Sequence, residues 1–203
     1  MERLVAKQKL SELIGQDLRR LADELGVTVF KEGKLNKGWA GHVMERYLGI
    51  PLNSSRAPNF GSWELKAVSL KYLKGDILTV KETMAITMID GYNVVRTEFE
   101  DSHLLNKMRK ILIPARIWES VYENSSILYT VTDFDLDDPE IYNQVKADYE
   151  LVRQTIVTKG FSALSGVMGI YIQPRTKGPG HGSTSRAFYA RTSFLKNVIF
   201  SEL

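Results

Sequence analysis

Glu64-Leu65-Lys66 places an acid and a base one residue apart. Side chains in a strand alternate between faces, so Glu64 and Lys66 share one face while Leu65 turns the other way, into a core. A carboxylate and an ammonium side by side at a strand end can bind a divalent metal and polarise a water for attack on phosphorus. That is hydrolytic nuclease chemistry. Taken bare, the tripeptide equally describes a solvated strand face with opposite charges, so its neighbours decide its meaning. A second carboxylate, Glu45, lies one helical turn from Gly41, on the side of His42 and Leu48. It is either an edge residue pairing with Lys37 or Arg46, or a carboxylate aimed at Glu64. In the basic segment 102–110, Lys107 can point opposite to Arg109 and Lys110, towards a site.

These residues need elements to hold them. Leu4, Val5, Leu10, Leu13, Leu18, Leu21 and Leu25 recur at spacings near three and four, which predicts two short helices stopped by Gly15 and Gly26. Residues 31–37 are basic and contain glycine, a connector or a phosphate contact that includes Lys37. Trp39, Ala40, Val43, Met44, Tyr47 and Leu48 predict a helix ending at Gly49. Residues 50–58 form a loop with two prolines that delivers the chain to Asn59. Residues 60–70 and 78–89 read as neighbouring strands across a turn at 71–76, with a third strand over 92–99 after the Asp90-Gly91 turn. A basic helix over 102–110 feeds a buried strand at 111–114.

The acidic run 133–140 lacks the central glycine and terminal glutamate of a calcium loop, and is read as a solvated loop capping a helix over 139–158. Residues 167–172 predict another strand. The segment from Gln173 to Arg186 is basic, glycine-rich and free of acidic residues, a composition that lets backbone and cationic side chains approach phosphates and base edges. It is not a nucleotide P-loop, because no Gly-Lys-Ser or Gly-Lys-Thr opens a helix there. A strand over 187–191 and a closing helix near Ser193 end the chain.

At 203 residues the chain is long enough for one domain with a sizeable core. A hydrophobic content of 43% and a charged content of 25% are those of a soluble globular protein. No apolar run is long enough to span a bilayer and the N-terminus has no signal-peptide core, so a cytoplasmic location is expected. Without cysteine there are no thiolate metal sites, and His42, His103 and His181 are scattered, so any metal must be held mainly by oxygen. A net charge of +3 with a pI near 9.0 suits a polyanionic ligand where the basic residues cluster.

The segment from Asn36 to Gly49, then Trp63-Glu64-Leu65-Lys66, then Ser102-His103 with Lys107, and finally Phe188-Tyr189 with Phe194 resemble the MutH mismatch-repair endonuclease family, whose superfamily includes the type II restriction enzymes MvaI and BcnI. The resemblance spans nearly the whole chain. It implies an α/β (α+β) PD-(D/E)xK fold, a mixed sheet flanked by helices, with two lobes around a DNA cleft. The chain would be a single domain over 1–203, with a DNA-reading loop near 173–191.

By the same resemblance Glu64 is a metal ligand with Leu65 lending its backbone carbonyl, and Lys66 orients or activates the attacking water. Glu45 matches the family's helical carboxylate and Lys107 its auxiliary lysine. DNA contacts fall to Lys37, Arg175, Lys177, His181, Arg186 and Tyr189, the last matching a tyrosine near the adenine whose methylation is sensed. The implied cofactor is Mg2+, with Mn2+ as a substitute. The implied substrate is double-stranded DNA, with GATC as the suggested target and a MutL-like partner if the task is repair. No membrane partner is expected, and the protein is read as a monomer or transient dimer.

One position departs from the family. Where the family has Asp, this chain has Asn59, five positions before Glu64 as in the MvaI and BcnI arrangement. An amide keeps the shape of a carboxylate but removes its charge, so DNA binding could persist while cleavage falls. Three explanations stand. The first-ranked is an engineered inactivation of a native Asp. The others are a naturally inactive nuclease serving as a DNA-binding or effector domain, and a shell completed by another carboxylate such as Glu45.

Overall fold

The computed structural model describes residues 1–50, 61–178 and 184–203. The two amphipathic helices are α1 (Arg3–Ser11) and α2 (Leu18–Glu24). Asp17 caps α2 by accepting from the Arg19 backbone N–H at 2.9 Å, and the same oxygen accepts from the Ser126 N–H at 2.8 Å. Segment 31–37 is more ordered than a connector. It contains a hairpin of β1 (Phe30–Lys31) and β2 (Lys34–Leu35), ahead of α3 (Trp39–Tyr47).

The strand expected over 60–70 is two strands within its described part, β3 (Glu64–Leu65) and β4 (Val68–Leu73). Both run parallel to β7 (Lys110–Ile117), with Leu65 opposite Leu112 and Val68 opposite Ala115. The interruption at Lys66-Ala67 faces Ile113-Pro114, and a proline has no N–H to give to a ladder. The strand expected over 78–89 also divides. β5 (Ile77–Val80) stays antiparallel to β4, whereas β6 (Met84–Met88) joins a different sheet. β8 (Leu128–Asp135) runs antiparallel along the other side of β7 and contains Asp133 and Asp135, which were expected in a loop.

The strand expected over 92–99 is instead α4 (Gly91–Arg96). The Asp90 carboxylate accepts from the Asn93 N–H at 3.2 Å, which makes this residue a helix cap rather than a hairpin turn. α5 (His103–Met108) and the long α6 (Pro139–Lys159) fall where expected. Asp138 caps α6 by accepting from the Glu140 and Ile141 N–H groups. The second sheet is antiparallel, in the order β6, β10 (Arg186–Ala190), β9 (Ile172–Thr176). A short turn of helix, α7 (Thr192–Phe194), continues into π-helical Leu195–Ile199.

Among the described residues the larger sheet has five strands and β7 lies inside it. Alternation along β7 sends Ile111, Ile113 and Ala115 into one apolar cluster and Leu112 into another. The first cluster packs this sheet against α5, α6, the second sheet and the C-terminal helical turns. The second is built from α1, α2 and α3 with Trp39, Trp63 and Leu65. No described helix is long and apolar enough to cross a membrane.

Residues 167–171, expected as strand, form an irregular approach to β9 that is clamped from two sides. Buried Asp148 on α6 accepts backbone N–H bonds from Ile170, Tyr171 and Ile172 at 2.7–2.8 Å. Arg191 donates to the carbonyls of Gly166, Met168 and Gly169 at 2.8–3.1 Å. Gly169 has φ +76°, and a Cβ there would lie 1.9 Å from the Ile172 carbonyl oxygen, so only glycine fits. Spending these polar groups on the clamp excludes a ladder, and β9 begins where the clamp ends.

Asp148→Asn keeps the volume but turns an acceptor into a donor facing N–H groups, and it removes the charge that strengthens three hydrogen bonds. It should lower unfolding free energy by about 3 kcal/mol in urea titrations. A loss below about 1 kcal/mol would show that packing alone holds this segment.

Candidate active site

Glu64 is fully buried, although it is a carboxylate on a strand of only two residues. The alternation expected from the sequence holds: Leu65 enters the cluster under α3, and Glu64 and Lys66 turn to the opposite face. Lys66 leaves the sheet just after its backbone N–H bonds the Leu112 carbonyl at 3.0 Å, and its Nζ lies 2.7 Å from Glu64 Oε1. Lys107 Nζ approaches the same oxygen at 3.1 Å.

Lys107 reaches this position because α5 is anchored by its apolar residues. Leu104, Leu105 and Met108 are buried, and the Ser102 hydroxyl caps the helix by accepting from the Leu105 N–H at 3.1 Å. Lys107 is buried with them, while Arg109 and Lys110 face solvent. The helix therefore carries one lysine inward, as its sequence allowed, while the exposed basic residues are its C-cap Arg109 and Lys110, the first residue of β7.

A cleft of about 600 Å³ opens over Glu64, lined also by Lys66, Lys107, Lys177, Asp90 and His42. Lys177 follows the end of β9 and is exposed as a residue. Partial desolvation of its ammonium, followed by the positive charges of Lys66 and Lys107, holds it below the usual lysine range. Three ammonium groups thus line one cleft with the Glu64 and Asp90 carboxylates, two of them on Glu64 itself.

Lys37 is exposed and lines an adjoining depression that shares Lys66 with the cleft. Arg175 does not line the cleft. Its guanidinium donates to Thr83 Oγ1 at 2.8 Å and stands 5.7 Å from the centre of the Tyr189 ring. Tyr189 is half-buried, and desolvation pushes its hydroxyl up against the opposing pull of Arg175. Arg186 is half-buried at the start of β10 and donates to the carbonyls of Thr184 and Ser185. Glu45 is half-buried on α3; the described lining of the cleft includes His42, three residues earlier, and not Glu45. Asn59 and His181 lie outside the described residues.

Two contributors were missed by sequence reasoning. Asp90 and Asn93 line the cleft because α4 begins there, and the legible signal was a helix-capping Asp three residues before an Asn. The placement of Gly38 and His42 follows from Asn36, which accepts from the Gly38 N–H at 3.2 Å and donates to the Thr28 carbonyl at 3.0 Å.

A mixed sheet flanked by helices, with a buried carboxylate and a lysine at the end of one short strand, defines a restriction-endonuclease-like α/β fold. The model of the family described as DNA mismatch repair enzyme MutH matches residues 48–153, just over half of the chain, and the chain belongs to that family. The DNA mismatch repair protein MutH of Vibrio cholerae is 26% identical over 214 aligned residues, covering 94% of this chain and 92% of that protein. Its counterpart in Vibrio campbellii is 24% identical with 95% and 90% coverage, and that of Actinobacillus pleuropneumoniae is 24% identical with the same coverage.

The shared carboxylate oxygen gives a stability prediction. Glu64→Gln leaves two buried or half-buried ammonium groups facing each other and should cost about 3 kcal/mol. Adding Lys107→Met removes the deeper ammonium at similar volume and should recover most of that loss in urea denaturation. A double variant no more stable than Glu64→Gln would mean that the two residues do not act as a pair.

Proposed function

We propose that this protein is a DNA endonuclease of the MutH type that hydrolyses phosphodiester bonds of duplex DNA with a divalent metal. The observation that carries the reading is the meeting of Lys66 and Lys107 on one oxygen of a fully buried Glu64. A buried carboxylate is expensive unless it is paired, and charge held ready in a low-dielectric cleft suits a group that develops charge during reaction. The ammonium groups of Lys66, Lys107 and Lys177 in one cleft favour an anion such as a phosphodiester, and Lys177 is lowered by desolvation first and by the other two charges second.

The oxygen-only donor set fits Mg2+, which is commonly held by one or two carboxylates, waters and substrate phosphate oxygens. Glu64 and the backbone carbonyl of Leu65 would hold it together with residue 59, with Mn2+ as a substitute. Among the described residues no group of three acidic, His or Cys side chains could hold a metal alone. When bound, the metal supplies Lewis-acid activation of water and charge stabilisation at phosphorus. Lys66 as an ammonium would orient the attacking water, and would take up its proton only in the neutral amine form. Lys107 holds the Glu64 carboxylate in place, with Glu45 as the family-matched carboxylate behind it. Lys37, Arg175, Lys177, His181, Arg186 and Tyr189 contact DNA, the β9–β10 ribbon meeting the base edges. GATC is the proposed target, and a MutL-like protein the proposed partner in repair.

A second reading is favoured by one residue. Asn59 in place of the family's Asp removes a charge from the metal site, so the chain as it stands would bind DNA and cut it poorly or not at all. Whether this Asn is an engineered replacement or native, Asn59→Asp tests both readings. The variant should nick or cut plasmid DNA in Mg2+ and stop in EDTA, while the unsubstituted chain should bind duplex DNA with far less cleavage. Neither protein cutting while both bind would leave a DNA-binding domain, and no duplex binding by either would sink the nuclease reading altogether.

Binding should also depend on pH. In the free cleft desolvation, then the charges of Lys66 and Lys107, depress Lys177, and Glu64, Asp90, His42, His103 and Tyr149 are the other titratable groups lining it. A bound phosphate restores the ammonium, so duplex binding takes up a proton between the lowered and restored values. Affinity should fall as pH rises through that window, and Lys177→Arg, charged throughout, should flatten the fall. An identical profile for both proteins would exclude Lys177 as the cause.

A further inference from the structure

Beside the main cleft lies a second depression of about 450 Å³ whose lining shares Gly38 and Lys66 with it. The two hollows adjoin at these two residues, with Lys177 lining the first and Lys81 the second. Lys81 is not placed by chance. Val80 and Ile117 both register with Leu70 from opposite sides of β4; β5 is antiparallel and β7 parallel to it, so Lys81 continues beside Ser69 and Trp118 continues past Leu70, and their side chains meet across β4. Each is pinned to β4 by its backbone: Lys81 N–H to the Ser69 carbonyl at 2.9 Å, and Trp118 N–H to the Leu70 carbonyl at 2.7 Å. The Lys81 ammonium stands 4.3 Å from the centre of the Trp118 ring.

The neighbouring charges show what this ammonium faces. Arg116, which also lines the depression, is engaged with Glu123, Ser126 and the Ile117 carbonyl. Lys37 is exposed on the rim, and the carboxylate near Lys81 is that of Glu82, 3.3 Å away and 60% exposed. An exposed ion pair of this kind contributes little and exchanges readily for a stronger anion. An aromatic ring beneath a lysine restricts the ammonium without neutralising it.

We infer that Lys81, seated on Trp118, holds a backbone phosphate of the DNA strand where it runs from the first hollow past Lys66 into the second. This rests on the DNA reading above and adds a phosphate contact to it. A polynucleotide is the ligand that the geometry favours over a free phosphate, because only a chain can touch both adjoining hollows at once. Such a contact gives affinity and register but no sequence discrimination.

The test is fluorescence anisotropy with short duplexes of several unrelated sequences, in EDTA, over a series of KCl concentrations. For Lys81→Gln the slope of log affinity against log salt should shrink by about one, with a similar loss on every sequence. Lys81→Arg should restore the slope, and Glu82→Gln should tighten binding by removing the competing carboxylate. A lysine serving only to pack on Trp118 would alter thermal stability and leave the slope alone. An unchanged slope in Lys81→Gln, with the unsubstituted chain binding in a salt-dependent way, would overturn the inference while the DNA reading stands. Absence of salt-dependent binding by the unsubstituted chain would overturn the DNA reading itself.

Discussion

A carboxylate with no solvent exposure can remain charged only if its surroundings replace the water it has lost. Glu64 is in that position, and the structure meets the demand with two ammonium groups on one oxygen. Removing a charge from water costs several kcal/mol even after relaxation, so the pairing works only while both lysines stay within bonding distance. That constraint reaches far from the site. Lys107 is held by the packing of α5 and the Ser102 cap, and Lys66 by a two-residue gap in the sheet opposite Pro114. Loosening either support would leave a buried charge without its partner.

β7 lets one strand serve both requirements. It is paired on both edges, and its faces feed two different apolar clusters. A strand buried on both faces reads as a continuous apolar run, which Ile111-Leu112-Ile113-Pro114 supplies. Because Glu64-Leu65 copies the register of Ile111-Leu112, the face that receives Glu64 is set by β7, and a slip of one residue would turn Leu65 to the cleft and drive Glu64 into the apolar cluster under α3. Proline in such a strand is normally excluded. Here its missing N–H falls at the gap through which Lys66 leaves the sheet.

The parts of the site that could be read from the sequence are those governed by alternation and helical spacing. Glu64 and Lys66 share a face, Leu65 enters a core, and Lys107 points inward, each as its spacing requires. What could not be read depended on long-range partners. Tyr92 to Phe99 has the apolar and β-branched content of a strand, yet the Asp90 cap makes it begin as a helix. Residues 167–171 lack strand pairing because Asp148, some twenty residues earlier, and Arg191, some twenty later, have taken their backbone groups. Residues 78–89 look like one strand and serve two sheets, since only tertiary packing shows that β6 pairs with β10. Lys81 was invisible for the same reason, as its value comes from meeting Trp118 across β4.

On the proposed reading, which assigns residue 59 to the metal site with Glu64, the charge of the cleft gives the amide its physical meaning. Lys66, Lys107 and Lys177 already outnumber Glu64 and Asp90 along the lining, and after desolvation the charges of Lys66 and Lys107 add to the lowering of Lys177. Replacing a carboxylate by an amide moves this balance further towards positive. A divalent cation then meets a weaker site, because its affinity follows the number of charged oxygens offered to it. A phosphodiester meets a stronger one, because nothing in the amide opposes it. On the proposed reading, the same substitution therefore separates the two halves of the activity, weakening metal capture while favouring the grip on the nucleic acid backbone. Lys66 and Lys107 keep a purpose in such a protein, since the buried Glu64 needs them whether or not a bond is cut.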